Sequence, residues 1–173
     1  MGLEESIKAL AVPLLRYCLG RTGSPDLAED VAQEALTALV QRWRRHGAPE
    51  DAAAFAFAVA RRRAGRWLAR RALTRPLELL RERPTPFPGP LELAVRRDET
   101  ALAVAALRRL LPKDREILLL VTAGELKVQQ AAEICGISLS AAKMRLHRAR
   151  RRLASQLEAK HELRGPRPEP SAG

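Results

Sequence analysis

Residues 125–157, ELKVQQAAEICGISLSAAKMRLHRARRRLASQL, constrain this chain more than any other stretch. Positions 128–134 predict a short helix with Ala131 and Ile134 on one side. Gly136 follows, the residue type that turns sharply at positive φ without a Cβ clash. Ser138 or Ser140 can then cap a second helix by accepting a hydrogen bond from an orphan backbone N–H. Ala142, Leu146, Ala149, Leu153 and Leu157 recur at helical spacing along that helix and form one core-facing stripe. Lys143, Arg145, Arg148, Arg150, Arg151 and Arg152, with His147 among them, occupy most other positions. A short helix, a glycine turn and a longer basic helix make a helix-turn-helix, whose second helix enters the DNA major groove. The same pattern also fits a plain helical hairpin with a solvated charged face. Such faces mix signs, however, and no acid occurs from 138 to 156. DNA binding is the better reading.

Composition supports a polyanionic partner. The 173 residues carry a formal net charge of +11, much of it arginine, which grips phosphate bidentately. Apolar residues make up 46% and aromatics 3%, and Ala and Leu dominate over β-branched residues. That balance predicts an all-α fold. Cys18 and Cys135 lie in no metal-ligand spacing and read as thiols in a reducing cytoplasm. The run 117–121 is far shorter than a membrane span, and the acidic start does not resemble a signal peptide. A cytoplasmic chain without membrane insertion is expected.

In order along the chain, Leu3, Ile7, Leu10, Leu14 and Tyr17 or Cys18 predict a first amphipathic helix. Pro13 falls inside it, and Gly20 and Gly23 are expected to end it. Ser24-Pro25 reads as N-cap and first residue of a second helix, over 25–44. Leu27, Val31, Ala35 and Ala38 form its apolar side, extended by Leu39 and Trp43. Asp26, Glu29, Asp30, Gln33 and Glu34 make an acidic stripe. Acids near a helix start complement its dipole, which accounts for Asp26, Glu29 and Asp30 but not for Glu34. In so basic a chain, the stripe also reads as a docking surface for a cationic protein. On the residues alone the two readings stand level.

A third helix is expected over 51–73. Phe57, Ala60, Ala64 and Trp67 fall on one side, with Phe55 and Val59 beside them. Arg61, Arg62, Arg63, Arg66, Arg70 and Arg71 take most of the rest. Aromatics beside arginines suit single-stranded DNA, where bases stack on rings while cations hold the backbone. Phe57 and Trp67 read instead as core. Prolines at 76, 84, 86, 88 and 90 forbid helix and favour an extended connector. Helix resumes over 91–111, with Leu102, Ala106 and Leu110 on one stripe, and Leu111-Pro112-Lys113-Asp114 breaks it before a short apolar helix over 115–121. The expected organisation is two small helical domains, 1–75 and 98–160. A proline-rich linker, 76–97, joins them, and a disordered tail, 161–173, follows.

These segments resemble a bacterial RNA polymerase sigma factor of the extracytoplasmic-function type, a branch of the sigma-70 family. Ala28-Glu29-Asp30-Val31-Ala32-Gln33-Glu34 resembles the AEDxxQE signature of region 2. Val59-Ala60-Arg61 with Leu68 and Arg70-Arg71 resembles the region 2.3–2.4 helix. Leu111-Pro112 with Arg115, then Gly136, Lys143, Arg145, Leu146 and Arg148-Ala149-Arg150, resembles region 4. The resemblance implies that Asp26, Glu29, Asp30, Gln33 and Glu34 contact core RNA polymerase, which tips the reading of the stripe toward docking. It implies that Phe55, Arg61, Arg62, Arg63, Arg66, Arg70 and Arg71 face the −10 element, including its melted non-template strand. It assigns duplex contacts at the −35 element to Ser138, Ser140, Ala141, Lys143, Met144, Arg145, His147, Arg148 and Arg151. Many relatives are restrained by an anti-sigma protein, which adds such a partner to the expectations.

Some positions depart from the family pattern. Arg62 and Arg66 stand where Asn and Asp are frequent, Phe55 where Trp is, and Ser140-Ala141-Ala142 where Gly-Thr-Val often opens the recognition helix. The extra arginines predict a larger nonspecific term with steep salt dependence. His46, His147 and His161 are isolated, and there is no nucleophile-base pair, phosphate loop or metal-ligand cluster, so neither enzyme activity nor a cofactor is expected. A stand-alone helix-turn-helix regulator would explain the C-terminal half and leave the acidic helix unemployed. A nonspecific chromosome-coating protein fits the charge but not the motif order.

Overall fold

The computed structural model describes residues 2–74 and 97–164, with side chains described within 2–70 and 101–156. The described residues form seven α-helices: α1 (Leu3–Thr22), α2 (Pro25–His46), α3 (Ala52–Thr74), α4 (Arg97–Arg108), α5 (Pro112–Thr122), α6 (Val128–Cys135) and α7 (Leu139–Arg164). The prolines at 76–90 and the tail beyond 164 lie outside them. α7 runs past the expected boundary at 160.

The N-terminal half is a three-helix bundle. Leu10, Leu14, Tyr17 and Cys18 of α1 meet Val31, Ala35 and Leu39 of α2 and Phe57, Ala60 and Ala64 of α3. Leu14, Tyr17, Leu39 and Phe57 are fully buried, and the Tyr17 and Phe57 rings pack edge to face at 5.4 Å and 82°. Phe57 is core, as expected; Phe55 and Trp67 are only partly buried. α3 is capped by Asp51, whose Oδ1 accepts the Ala54 N–H at 2.8 Å. Ser24 stands at the α2 N-cap position, but its side chain makes no cap hydrogen bond there.

One expectation about α1 needs revision. Pro13 is accommodated without breaking the helix, and Gly20 lies inside it, buried; only Gly23, at φ +67, ends it. The reason for a glycine at 20 is contact, not termination. A Cβ there would stand 2.4 Å from Leu119 Cδ2, in α5 of the other half.

In the C-terminal half, α5 carries Ile117, Leu118, Leu119 and Leu120, all buried, against Ala142, Leu146 and Ala149 of α7 and Ala131 and Ala132 of α6. Leu111-Pro112 starts α5 rather than merely interrupting the chain, with Pro112 at the first helical position. The stripe expected on α4 holds in part: Leu102 is exposed, and Leu110 is buried although it lies beyond the helix end. Ser138 caps α7, its Oγ accepting the Ala141 N–H at 3.2 Å. Gly136 adopts φ +65 with nothing within 4 Å of a built Cβ, so only backbone strain opposes a side chain there. Gly136→Ala is expected to lower stability by about 1 kcal/mol and the midpoint temperature by roughly 2–4 °C in thermal denaturation.

The two halves touch. α1 packs on α5 and α3 on α6, so the three-helix bundle and the helix-turn-helix share a seam rather than standing apart. Gly124, between α5 and α6, gives the second close approach: a Cβ there would lie 2.9 Å from the Phe57 ring. Gln130 of α6 also donates to Asp51 at the start of α3.

Candidate nucleic-acid interface

α2 sorts its residues cleanly by face. Ala28, Val31, Ala32, Ala35 and Leu39 are buried, while Asp26, Glu29, Asp30, Gln33 and Glu34 are all exposed. The five expected docking residues therefore form one uninterrupted ridge. Asp30, Gln33 and Glu34 line a shallow groove of about 370 Å³, closed on its far side by Arg63 of α3. Glu34 Oε2 lies 3.0 Å from Arg63 Nε, with both side chains half exposed. A pair so wet contributes little to stability, but it ties the ridge to the arginine helix.

The α3 arginines spread over several directions. Arg62, Arg63, Arg66 and Arg70 are exposed, whereas Arg61 is partly buried at the seam; the side chain of Arg71 lies outside the described residues. Arg61 Nε is buried and finds no hydrogen-bond acceptor among the described residues. Phe55 rests against the core with part of its ring in solvent.

On α7, the apolar stripe of Ala142, Leu146 and Ala149 is buried, which turns Ser138, Ser140, Lys143, Met144, His147, Arg148 and Arg151 outward. Ala141 and Arg145 stand at the border of that face. Two of the cations expected at the −35 element face the protein's own residues. Arg148 grips Asp114 of α5 through two hydrogen bonds, 2.9 Å from Nη2 and 3.2 Å from Nε. Asp114 is 1% exposed, and the bond to it, then its charge, raises the Arg148 pKa. This pair braces the second helix of the helix-turn-helix on α5. The sequence carries no local sign of it, since the partners are 34 residues apart.

Arg145 turns toward the seam. With Arg61, Arg21 and Lys113 it lines a cleft of about 290 Å³, in which Glu116 is the single acid. The residues expected at two separate DNA elements, Arg61 and Arg145, thus share one cleft. Glu116 and Arg21 were not singled out by sequence reasoning, and Tyr17 and Asp114 were read only as a core position and part of a helix break, without the polar contacts they make. The one available hint was a pair of carboxylates at the edge of the apolar run 117–121.

Cys18 is fully buried, and burial pushes its thiol up to about 12. Burial, and then Glu116, raises Cys135 as well. Both are free thiols. No described helix is long and apolar enough to cross a membrane.

Comparison with known proteins fits this arrangement to a family. The model of sigma-70 region 2 matches residues 7–74, spanning α1–α3, and that of sigma-70 region 4 matches residues 101–153, from within α4 into α7. The ECF RNA polymerase sigma factor SigD of Mycobacterium tuberculosis (strain ATCC 25618 / H37Rv) is 32% identical over 170 residues, covering 91% of this chain and 78% of that one. The ECF sigma factor ShbA of Streptomyces griseus is 31% identical over 158 residues, covering 83% and 81%. Among solved structures, the fold is similar to that of CnrH in complex with the cytosolic domain of CnrY, with a TM-score of 0.67, 21% identity and coverage of 91% and 88%. It is also similar to RpoE in complex with the anti-sigma factor NepR from Bartonella quintana, with a TM-score of 0.68, 22% identity and coverage of 90% and 96%. The faces sorted on α2 and α7 sit in those two regions, and the chain belongs to the extracytoplasmic-function sigma factors of the sigma-70 family, non-enzymatic initiation factors that direct RNA polymerase to promoters.

Proposed function

We propose a division of labour within that activity. The α2 ridge of Asp26, Glu29, Asp30, Gln33 and Glu34 docks on core polymerase. Phe55 and the α3 arginines hold the −10 element and its melted strand, with cations on the backbone and a ring edge for an unstacked base. The outward face of α7 reads the −35 element from the major groove, and residues 76–97 act as the connector. The work is done in the cytoplasm, and an anti-sigma protein is a further partner, as NepR is for RpoE of Bartonella quintana. The observation that carries this reading is the exposure of all five ridge residues on a helix whose opposite face is core, in a chain of net charge +11. Reconstituted transcription tests it: mixed with core polymerase, the chain should confer initiation at a subset of genomic fragments. Failure to form a complex with core and to initiate anywhere would refute it.

Within α7 the roles divide. Arg145 is expected to read a base edge, so Arg145→Ala should cost about 1–3 kcal/mol at the preferred site and relax discrimination there. Arg151 is exposed and one turn beyond His147. Arg151→Ala should weaken all sequences alike and lower the salt slope by about 1. Binding isotherms on matched and scrambled −35 duplexes at several salt concentrations separate the two. Identical effects of both changes on every duplex would refute the split.

A further inference from the structure

The seam between the halves converges on one carboxylate. Glu116 sits in the first turns of α5, beside the buried run of Ile117 to Leu120, and is 5% exposed. Both of its oxygens are engaged by α1, in the other half. The Tyr17 hydroxyl donates to Oε1, and Arg21 Nε lies 2.6 Å from Oε2, an ion pair whose N–H does not align as a hydrogen bond. Tyr17 is fully buried, and burial, then the neighbouring Glu116, raises its phenol pKa.

The surroundings are cationic. Arg21, Arg61, Lys113 and Arg145 line the adjoining cleft, two from each half, with no other acid among the lining residues. Arg115 feels the same excess: its pKa is lowered by burial first and then by Arg21. Without the carboxylate, the halves would meet cation to cation. With it, the contact is specific without being strong, because a buried ion pair gains little over the same groups in water. Steric fit supports a built contact as well, since Gly20 admits Leu119 and Gly124 admits Phe57.

The closed arrangement cannot serve a promoter. Elements at −10 and −35 are separated by roughly 25 base pairs, about 85 Å of duplex, whereas Arg61 and Arg145 line one cleft. We propose that Glu116, held by Tyr17 and Arg21, is a clasp that keeps the two halves in a closed resting form, and that it must release before the chain can span a promoter. The idleness of the closed form rests on the reading of Arg61 and Arg145 as promoter contacts; the clasp itself does not.

Small-angle scattering of the full chain at fixed salt tests it, with alkylation of Cys135, which lines the cleft, as a second readout. Wild type should scatter as a compact particle. Glu116→Gln should increase the radius of gyration and speed alkylation by about tenfold, the scale of losing a charge-assisted contact. Removing the charge also eases ionisation of Cys135 directly, so Tyr17→Phe is the control: it retains the carboxylate and the ring packing, and should still enlarge the particle. If Glu116→Gln fails to fold by circular dichroism, Tyr17→Phe alone decides. A wild-type chain already extended in solution, or folded variants with unchanged dimensions, would overturn the proposal. A chain that opens as described yet fails to bind core polymerase would instead refute the division of labour and leave the clasp standing.

Discussion

Asp30→Lys combined with Glu34→Lys is expected to weaken assembly with core polymerase by about 100-fold or more, because like charges placed across an interface cost several kcal/mol. Both positions are exposed on a helix whose inner face is core, so the fold should survive the change. Glu34 also pairs with Arg63, and a lysine there would face that guanidinium. The local cost is small, since the pair is exposed. Glu4→Lys is the matched control. Glu4 lies on α1 beside Lys8, away from the ridge and well exposed, and its reversal should leave assembly unchanged. Native gel shift or calorimetry with purified core polymerase reads the difference. Duplex DNA binding by the isolated chain should be retained in both variants, which separates loss of docking from loss of the chain's affinity for DNA. Equal losses from the control and the ridge variant would mean that net charge, not the ridge, governs assembly.

The largest effect on stability is expected from Phe57→Ala. Phe57 is fully buried, its ring packs against Tyr17 on one side, and Gly124 of the other half approaches it closely. Truncating a buried phenylalanine removes its transfer energy and leaves a cavity, about 3–5 kcal/mol in all. For a chain of this length that is a drop of roughly 10 °C in midpoint temperature. Phe55→Ala, at a partly solvated ring, should cost much less and show its effect in −10 strand binding. Thermal or urea unfolding checks the pair. A loss below about 1 kcal/mol at Phe57 would mean that the site collapses around the deletion, contrary to its enclosed position between two helices and a backbone turn.

Much of this was legible from periodicity. The split of α2 into an acidic and an apolar face, and the stripe and basic face of α7, are repeats of three and four that a helix must obey. Gly136 announced its turn by residue type, and residue type narrowed the cap to Ser138 or Ser140, of which Ser138 makes the bond. What escaped was set by partners distant in sequence. Gly20 reads as a stop signal, yet it lies within α1, and the side chain it lacks leaves the space that Leu119 occupies. Leu102 fits a core stripe, yet it is exposed, since α4 packs only lightly on α1, α5 and α7 among the described residues. Arg148 looks like one more phosphate contact until Asp114 is found beneath it. Glu116 gave only the hint of a carboxylate at the edge of an apolar run, because Tyr17, which engages it, stands 99 residues away.

The approaches at Gly20 and Gly124 have a hereditary consequence. Each depends on a missing methyl group: a side chain at 20 would press on Leu119 of the other half, and one at 124 on its own Leu120 carbonyl and on the Phe57 ring across the seam. Tightening the fit, by contrast, would require matched changes on both surfaces. Random drift should therefore part them far more often than it binds them, and lineages that retain both glycines would be those in which selection maintains the embrace.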